Sequence, residues 1–290
     1  MRRRRIQTSP DILESRLLLT VNVSFNAKSG LLKITGDSAG DRVDIDGTGT
    51  AGQVEVFINS VKFDDFSNVK SIKANLGAGD DELNLSAVTI DGDINVNLGS
   101  GADKFDIDNN TTLGSGPDGL VSIGGNVKAK MGGDSGDFLN WDDGMQLKGN
   151  VAITGVADVD MKGDGIAASE SEVNDITYLG TMSIKYAQSG DVNGDGLEGD
   201  FESLLGVGKM TLTGSRLAER IEFSTSAFNN FAANLGSGDD VFNINFNSAN
   251  ANIFGVSNFQ GGGGLDTFLK GLNNRFDLAA PIIGGFETIV

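Results

Sequence analysis

The sequence has neither cysteine nor histidine among its 290 residues. Without cysteine the chain cannot form a disulfide, a thiolate nucleophile or a sulfur-bound metal site. Without histidine it cannot use serine–histidine or cysteine–histidine catalysis, imidazole metal ligands or a histidine pH switch. The missing cysteine leaves the cellular compartment open, because many exported bacterial proteins lack it as well.

Proline is also scarce, at 3 residues, whereas glycine is abundant, at 42. This combination predicts many tight turns with positive φ and argues against polyproline structure. Hydrophobic residues make up 39% of the chain, which is too many for a disordered protein. No stretch approaches the about 20 apolar residues of a membrane-spanning helix, so we expect no membrane span.

Basic residues are outnumbered, with 22 lysines and arginines against 40 aspartates and glutamates. Five of the basic residues and two of the acids lie in residues 1–20. Residues 21–290 therefore hold 17 basic and 38 acidic residues, a net charge of −21. Such a charge repels nucleic acid and anionic lipid and attracts divalent cations, so we expect no nucleic-acid partner.

The N-terminus differs from the rest of the chain in being rich in arginine. Four arginines stand at positions 2–5, and the leucines at 17–19 form a run shorter than the about 7–15 apolar residues of a secretory signal peptide. We interpret residues 1–20 as a leader or targeting segment. Residues 21–290 are predicted to form one repeat domain, with similar blocks starting near Leu32 and Met210.

A Gly-Asp-rich turn recurs along this domain. The segments NLGAGDDELNL, NLGSGADKFDI and NLGSGDDVFNI begin at Asn75, Asn97 and Asn234. Looser copies align with them, and most copies end in an acid, any residue and an apolar residue. The acids in register are Asp41, Asp81, Asp103, Asp137, Glu219, Asp240 and Asp266.

Short segments with alternating apolar residues precede most of these turns. Ile94, Val96 and Leu98 would face one way, and the same alternation follows Gly125, Gly180 and Gly208. A period of two with one apolar face predicts strands with one buried side.

The spacing of the acids indicates the architecture. Asp81 and Asp103 are 22 residues apart, and Asp240 and Asp266 are 26 apart, each close to one full wrap of a solenoid. The 40 residues from Asp41 to Asp81 fit two wraps, and the 82 from Asp137 to Glu219 fit three or four. We predict an all-β chain that forms a single right-handed parallel β-helix of about 10–12 irregular coils around one apolar column. The last segment, GGFETIV, reads as an uncapped strand, so we expect end-to-end self-association through the C-terminal coil.

The Gly-Asp repeats resemble the RTX, or haemolysin-type, nonapeptide G-G-x-G-x-D-x-U-x, in which U is a large apolar residue. GGGGLDTFL from Gly261 matches this pattern fully, although the repeats here are more widely spaced than the back-to-back RTX nonapeptides. The arrangement over residues 21–290 is similar to repeat regions of large bacterial surface proteins. LESRLLL at 13–19 is similar to their LEPR-x-LL segment, with Ser15 in place of proline. The resemblance implies a secreted or cell-envelope protein of a bacterium.

One segment fits a calcium loop. DVNGDGLEGDFE at 191–202 matches D-x-[DN]-x-[DN]-G-x5-E at every specified position. Six to eight oxygen ligands would suit Ca²⁺, and the candidates are Asp191, Asn193, Asp195, the carbonyl of Leu197, and Glu202. The preceding segment reads as a strand, which favours a calcium loop on a β-scaffold over an EF-hand. The alternative is a Gly-Asp turn without metal.

The acids in register form a second candidate site. If Asp81 and Asp103 lie one coil apart, their carboxylates are about 4.8 Å apart, and Asp240 and Asp266 stand in the same relation. Like charges at this distance repel unless a cation, hydrogen bonds or water intervenes, and Ca²⁺ bridging would relieve the repulsion. The alternative is that the carboxylates are exposed, solvated and screened by salt.

These features predict a structural or adhesive module that Ca²⁺ stabilises, with other surface proteins or extracellular polysaccharide as partners. The alternative is a carbohydrate-active β-helix enzyme, a lyase or hydrolase that works with arginine and aspartate. Arg42 and Arg220 occupy equivalent repeat positions, which favours structural corners over a unique active site. Sugar sites favour tryptophan and tyrosine, and the chain has only Trp141, Tyr178 and Tyr186. We therefore predict that the protein is not an enzyme.

Overall fold

A computed structural model describes residues 21–109, 113–114, 119–142, 144–162, 176–188, 197–244, 252–271, 274–276 and 278–290. Within these ranges every regular element is a β-strand and no residue is helical, which confirms the all-β prediction. The described part of the chain thus holds no helix that could cross a membrane.

The 28 strands of the described residues follow one another at short intervals. In chain order they are β1 (Asn22–Asn26), β2 (Leu31–Thr35), β3 (Arg42–Gly47), β4 (Val54–Ile58), β5 (Val61–Phe66), β6 (Ser71–Ala78), β7 (Glu82–Ser86), β8 (Thr89–Ile90), β9 (Ile94–Ser100), β10 (Lys104–Asp108), β11 (Val121–Ile123), β12 (Val127–Lys130), β13 (Phe138–Asp142), β14 (Met145–Leu147), β15 (Val151–Val156), β16 (Asp158–Lys162), β17 (Ile176–Tyr178), β18 (Met182–Tyr186), β19 (Leu197–Glu202), β20 (Leu204–Ser215), β21 (Glu219–Ser224), β22 (Ala227–Ser237), β23 (Val241–Asn243), β24 (Ile253–Gly263), β25 (Thr267–Leu269), β26 (Arg275–Phe276), β27 (Ile282–Gly284) and β28 (Thr288–Ile289).

The strands belong to two sheets, of 16 and 12 described strands, which we call sheet I and sheet II. Sheet I has the order β1-β2-β6-β9-β12-β15-β18-β20-β17-β14-β11-β8, and β22, β24, β26 and β27 extend it beyond β20. Sheet II has the order β28-β25-β23-β21-β19-β16-β13-β10-β7-β3-β4-β5. The chain passes from one sheet to the other, so that β9 pairs with β6 and β12 while β10 pairs with β7 and β13, all in parallel.

Alternate side chains of the strands fill a continuous apolar interior. Ile94, Val96 and Leu98 are buried as their alternation predicts, and so are Phe105 and Ile107 on β10. The interior is mainly aliphatic up to β16 and rich in phenylalanine from β19 onward. There the rings lie in contact, with centroids 4.6 Å apart for Phe201 and Phe223.

The prediction of two wraps between Asp41 and Asp81 is wrong. β3 pairs directly with β7, with Arg42 opposite Glu82, so these residues make one wrap with an inserted hairpin. The hairpin consists of β4 and β5, which are antiparallel and joined by Asn59 and Ser60 at φ 50° and 65°. Both positive values are typical of a two-residue hairpin turn. Between Asp137 and Glu219 the register takes three steps, as the sequence predicts.

Antiparallel strands close both sheets at the same edge. β1 covers β2 at the edge of sheet I, and the β4–β5 hairpin covers β3 at the edge of sheet II. Phe25 of β1 and Phe66 of β5 join the two, with ring centroids 5.5 Å apart. These strands shield the edge of the first parallel strands from further pairing.

Candidate functional site

The Gly-Asp turns stack on one another where the chain passes from sheet I to sheet II. Gly77 and Gly99 are in register and have φ of 117° and 118°. A Cβ on Gly99 would lie 1.7 Å from the carbonyl oxygen of Gly77. Only glycine therefore permits both the backbone conformation and the close stacking. Most turns end on an acid that directly precedes the next strand of sheet II, as Asp81 precedes β7 and Asp103 precedes β10.

Each of these acids binds the main chain of the preceding one. The N–H of Asp81 donates to Oδ1 of Asp103 at 2.9 Å, and the N–H of Asp103 donates to Oδ1 of Asp137 at 3.1 Å. The N–H of Asp41 donates to Oδ1 of Asp81 in the same way. We call the four residues Asp41, Asp81, Asp103 and Asp137 the first ladder. The carboxylate thus takes the place of a main-chain acceptor at the turn.

The same arrangement recurs nearer the C-terminus as a second ladder. The N–H of Glu219 donates to Oδ1 of Asp240 at 2.8 Å, and the N–H of Asp240 donates to Oδ1 of Asp266 at 2.9 Å. The N–H of Asp266 donates to Oε2 of Glu287 at 2.7 Å. The predicted residues Asp81 and Asp103 thus meet in the first ladder, and Asp240 and Asp266 meet in the second.

Two apolar residues separate the ladders. The register of β13 with β16 puts Ala157 opposite Asp137, and the register of β19 with β21 puts Leu197 opposite Glu219. At these positions the main chain pairs with itself, as the N–H of Ala157 donates to the carbonyl of Asp137 at 2.9 Å. Stacking therefore continues where the acid is missing.

The ladder carboxylates are buried. Asp81 and Asp103 are 1% exposed, and Asp240 and Asp266 are 0% exposed, so the alternative of exposed, solvated carboxylates is wrong. The turn folds over the side chain, since a Cβ on Gly261 would lie 2.7 Å from Oδ2 of Asp266. In these four residues the second oxygen, Oδ2, has no hydrogen-bond partner among the described residues.

Burial raises the pKa of Asp81, Asp103, Asp240, Asp266 and Glu219 above the ordinary value of a carboxyl group. It raises the pKa of Asp81 to about 7, of Asp103 and Asp240 to about 6, and of Glu219 to about 8. The backbone N–H donors oppose this shift, and neighbouring carboxylates add to it. A buried carboxylate with a bare oxygen favours either a proton or a bound cation.

Asp137 shows how the protein satisfies both oxygens without a cation. Its Oδ2 accepts from the N–H groups of Gly133 and Asp134, both at 2.8 Å. Burial still raises the pKa of Asp137 to about 6. The turn at 132–136 differs in sequence from the GxGxD turns at Asp81 and Asp103, which lack these two donors.

No group of three or more acidic side chains converges on a metal position within the described residues. A Ca²⁺ ion at a ladder would therefore need carbonyl and water oxygens besides one or two carboxylates, which is within the range of known calcium sites. A glycine-turn carbonyl does lie near a ladder oxygen at Gly261, where a Cβ would be 2.2 Å from the carbonyl oxygen of Gly285 and 2.7 Å from Oδ2 of Asp266.

The predicted calcium loop falls only partly within the structure. Asp191, Asn193 and Asp195 lie outside the described residues. Leu197 and Glu202 are the two ends of strand β19, and Leu197 is fully buried. A strand thus forms the second half of the predicted loop, residues 197–202.

The outer face of sheet II carries a row of polar residues that sequence reasoning missed. In register across the strands lie Asp44, Asn84, Asp106, Asn140, Asp160, Asp200, Glu222 and Asn243. Asparagine amides donate to neighbouring acids, as from Asn140 to Asp106 at 2.8 Å. The sequence does contain a signal for this row, because an acidic residue or an asparagine stands three residues after most ladder acids.

The two arginines at equivalent positions of the repeat, Arg42 and Arg220, form ion pairs with acids of this row. Arg42 binds Asp44 at 2.8 Å, and Arg220 binds Glu222 in the same way. Both acids are buried, at 0% and 7% exposure, so each arginine neutralises a buried acid of its own strand. This pairing favours a structural role for both arginines over a catalytic one.

All the tryptophan and tyrosine of the chain lies in the interior. Trp141, Tyr178 and Tyr186 are at most 1% exposed. Glycine makes room for both tyrosines, because a Cβ on Gly206 or Gly199 would lie 2.1 Å from the Tyr178 or Tyr186 hydroxyl. Neither residue type can therefore provide a surface platform for sugar rings.

Comparison with known proteins gives no further assignment. No family model, no curated protein and no solved structure matches the chain.

Proposed function

We propose that the chain is a right-handed parallel β-helix that serves as a structural or adhesive module, secreted or in the cell envelope of a bacterium. Ten parallel described strands of sheet II, from β3 to β28, follow one another in chain order, which supports one wrap per strand. Stacked wraps share one apolar column, so the scaffold lengthens without a larger core. Small-angle scattering tests the shape. It should give a rod about 45 Å long in the stacking direction, and a globular envelope would contradict it.

We further propose that Ca²⁺ stabilises the ladders. The observation that carries this proposal is the bare, buried Oδ2 of Asp81, Asp103, Asp240 and Asp266. Near neutral pH the raised pKa values leave these groups poised between a proton and a cation. A cation would replace the proton as pH rises, since only the ionised carboxylate binds Ca²⁺ well.

Thermal unfolding with Ca²⁺ or with a chelator, at pH 5 and pH 8, tests this function. At a Ca²⁺ concentration about 100 times Kd, one site adds about 2.7 kcal/mol to the free energy of unfolding. We expect a clear rise in Tm at pH 8 and a small one at pH 5. A variant with Asn in place of Asp81, Asp103, Asp240 and Asp266 should lose the rise, because the amide keeps the N–H acceptor and removes the charge.

The loop variant Asp195→Ala with Glu202→Ala is the matched control. If the rise in Tm disappears in the loop variant and survives in the ladder variant, Ca²⁺ binds at 191–202 and the ladder proposal is wrong. If Ca²⁺ at pH 8 raises the Tm of neither the wild type nor any variant, calcium has no part in the function.

Self-association completes the proposal. Exposed apolar side chains cluster on the last described strands, with Ile282 at 61%, Ile289 at 56% and Val290 at 72% exposure. Such exposed apolar side chains favour contact with another copy. Light scattering should show a concentration-dependent dimer that Ile289→Lys abolishes, whereas a monomer at high concentration would contradict it.

A further inference from the structure

The outer face of sheet I carries a charge opposite to that of the whole protein. Strands β2, β6, β9, β12, β15 and β18 place two columns of outward positions side by side. The columns are Lys33, Lys73, Asn95, Lys128, Ala152 and Ser183, and Thr35, Asn75, Asn97, Lys130, Thr154 and Lys185. They contain five lysines and no acid, in a chain with a net charge of −18. We call this surface the lysine face.

The five lysines are available for a ligand. All five are exposed, and none of them forms an ion pair within the described part of the chain. Among the described residues, Arg42, Lys104, Lys162 and Arg220 on sheet II and Lys62 on the hairpin do form ion pairs. The net charge of the whole chain predicts that it repels any polyanion. That charge is not spread evenly, however, because the strand register gathers these lysines on one face and the acids elsewhere.

The lysine face holds two shallow, open depressions. A cavity of about 620 Å³ is lined by Lys33, Lys73, Lys128 and Lys130 together with asparagine amides. A second cavity of about 530 Å³ adjoins it, shares Asn97 and Lys130, and extends to Lys185. Together they form a groove across six strands, or about 24 Å at the usual strand spacing.

We infer that this groove binds a linear acidic polysaccharide with one carboxylate per sugar. The strands repeat every about 4.8 Å, which is close to the length of one sugar unit in an extended chain, so ammonium groups and carboxylates can match over several units. The amides of Asn75, Asn95 and Asn97 can bind hydroxyl groups between the charges. The choice of a polysaccharide as the occupant rests on the proposed extracellular function.

Nucleic acid fits the groove less well. Proteins that bind single-stranded nucleic acid stack the bases on aromatic side chains. Among the described residues, Tyr186 is the only aromatic residue that lines either cavity. Tyr186 itself is 1% exposed. The lysine face thus offers charge and amides but no stacking surface.

Binding of polygalacturonate, measured by calorimetry at low salt with a chelator present, tests the inference. We expect binding that weakens with salt, and no binding of the same polymer after methyl esterification, which removes the charge and keeps the sugar chain. The variant Lys33→Gln, Lys73→Gln, Lys128→Gln should bind at least about tenfold more weakly. The control Lys28→Gln, Lys148→Gln, Lys209→Gln loses the same charge outside the groove and should bind like wild type.

Equal loss in both variants, no binding by wild type, or equally tight binding of single-stranded DNA would each overturn the inference. Failure here is distinguishable from failure of the proposed function. The lysine variants should keep the Tm and the calcium response of wild type, whereas a protein without a calcium response can still bind polygalacturonate through this groove.

Discussion

The two ladders share their turn chemistry but not the interior behind it. The first ladder lies over a mixed core, in which Phe105 and Trp141 pack among aliphatic residues such as Leu83, Leu85 and Ile107. The second lies over phenylalanine, where Phe242 and Phe268 stack with centroids 5.8 Å apart. In both, an acid caps the N–H of the preceding acid. The repeat therefore specifies the turn and its carboxylate closely, while the interior needs only apolar side chains of suitable volume.

The stacked glycines should give the largest effect in both ladders. Gly99→Ala would place a Cβ 1.7 Å from the carbonyl oxygen of Gly77, and Gly264→Ala would place one 1.6 Å from that of Gly238. Each should lower the free energy of unfolding by more than about 3 kcal/mol, measured by urea denaturation, because backbone must move. Gly133→Ala is the control, since a Cβ there meets nothing within 4 Å, and only its φ of 98° costs energy, about 1–2 kcal/mol. Equal losses at Gly99 and Gly133 would contradict the role of close stacking.

The second-largest loss of stability should come from the removal of a ladder acid. Asp103→Ala leaves the N–H of Asp81 without an acceptor, and Asp240→Ala does the same to Glu219. We expect each to cost about 1–3 kcal/mol at pH 5. Asp103→Asn keeps the acceptor and removes the buried charge, so it should match or exceed wild type at pH 8 in a chelator. If Asp103→Asn lowers the free energy of unfolding as much as Asp103→Ala does, the hydrogen-bond acceptor for the N–H of Asp81 is not what stabilises the turn.

The dependence of stability on pH should differ between the ladders. A carboxyl with a higher pKa in the folded protein than in the unfolded chain holds more protons when folded, so stability falls as pH rises between the two values. For Asp81 the fall should run from about pH 4 to about 7, and for Glu219 it should extend to about 8. Unfolding in a chelator across this range checks the slope. Asp81→Asn should reduce the slope between about pH 4 and 7, and Glu219→Gln should reduce it up to about pH 8. A flat wild-type profile would contradict both expectations.

The smallest effect concerns the gap between the ladders. Ala157→Asp would place a carboxylate opposite Asp137, where the ladder now stops. At pH 5 we expect a gain of up to about 1 kcal/mol from a new bond to the N–H of Asp137. At pH 8 the buried charge should reverse the sign, whereas Ala157→Asn should show no such reversal. Thermal unfolding at the two pH values measures this, and a uniform loss for both variants would mean that the gap cannot accept a polar side chain.

Much of this arrangement could be predicted from the sequence. The alignment of Gly-Asp segments identifies the acids of both ladders except Glu287, and the period of two identifies the strands that bury Ile94, Val96 and Leu98. The hairpin was missed because β4 and β5 also alternate, so 40 residues looked like two wraps. The burial of Asp81 was missed because acids are normally exposed, and only the folded turn over the side chain excludes water. The lysine face was missed because charge on a face depends on strand register, which composition does not contain.

The central claim is that the ladder carboxylates are buried groups which carry a proton or a cation near neutral pH. The most direct test is an NMR titration of the ¹³C-labelled side-chain carboxyl groups, with Asp81→Asn used to assign one signal. In a chelator the account predicts that the Asp81 carboxyl titrates with a pKa of about 7, and that Ca²⁺ lowers this pKa. Titration of every carboxyl near its ordinary pKa of about 4, unchanged by Ca²⁺, would contradict it.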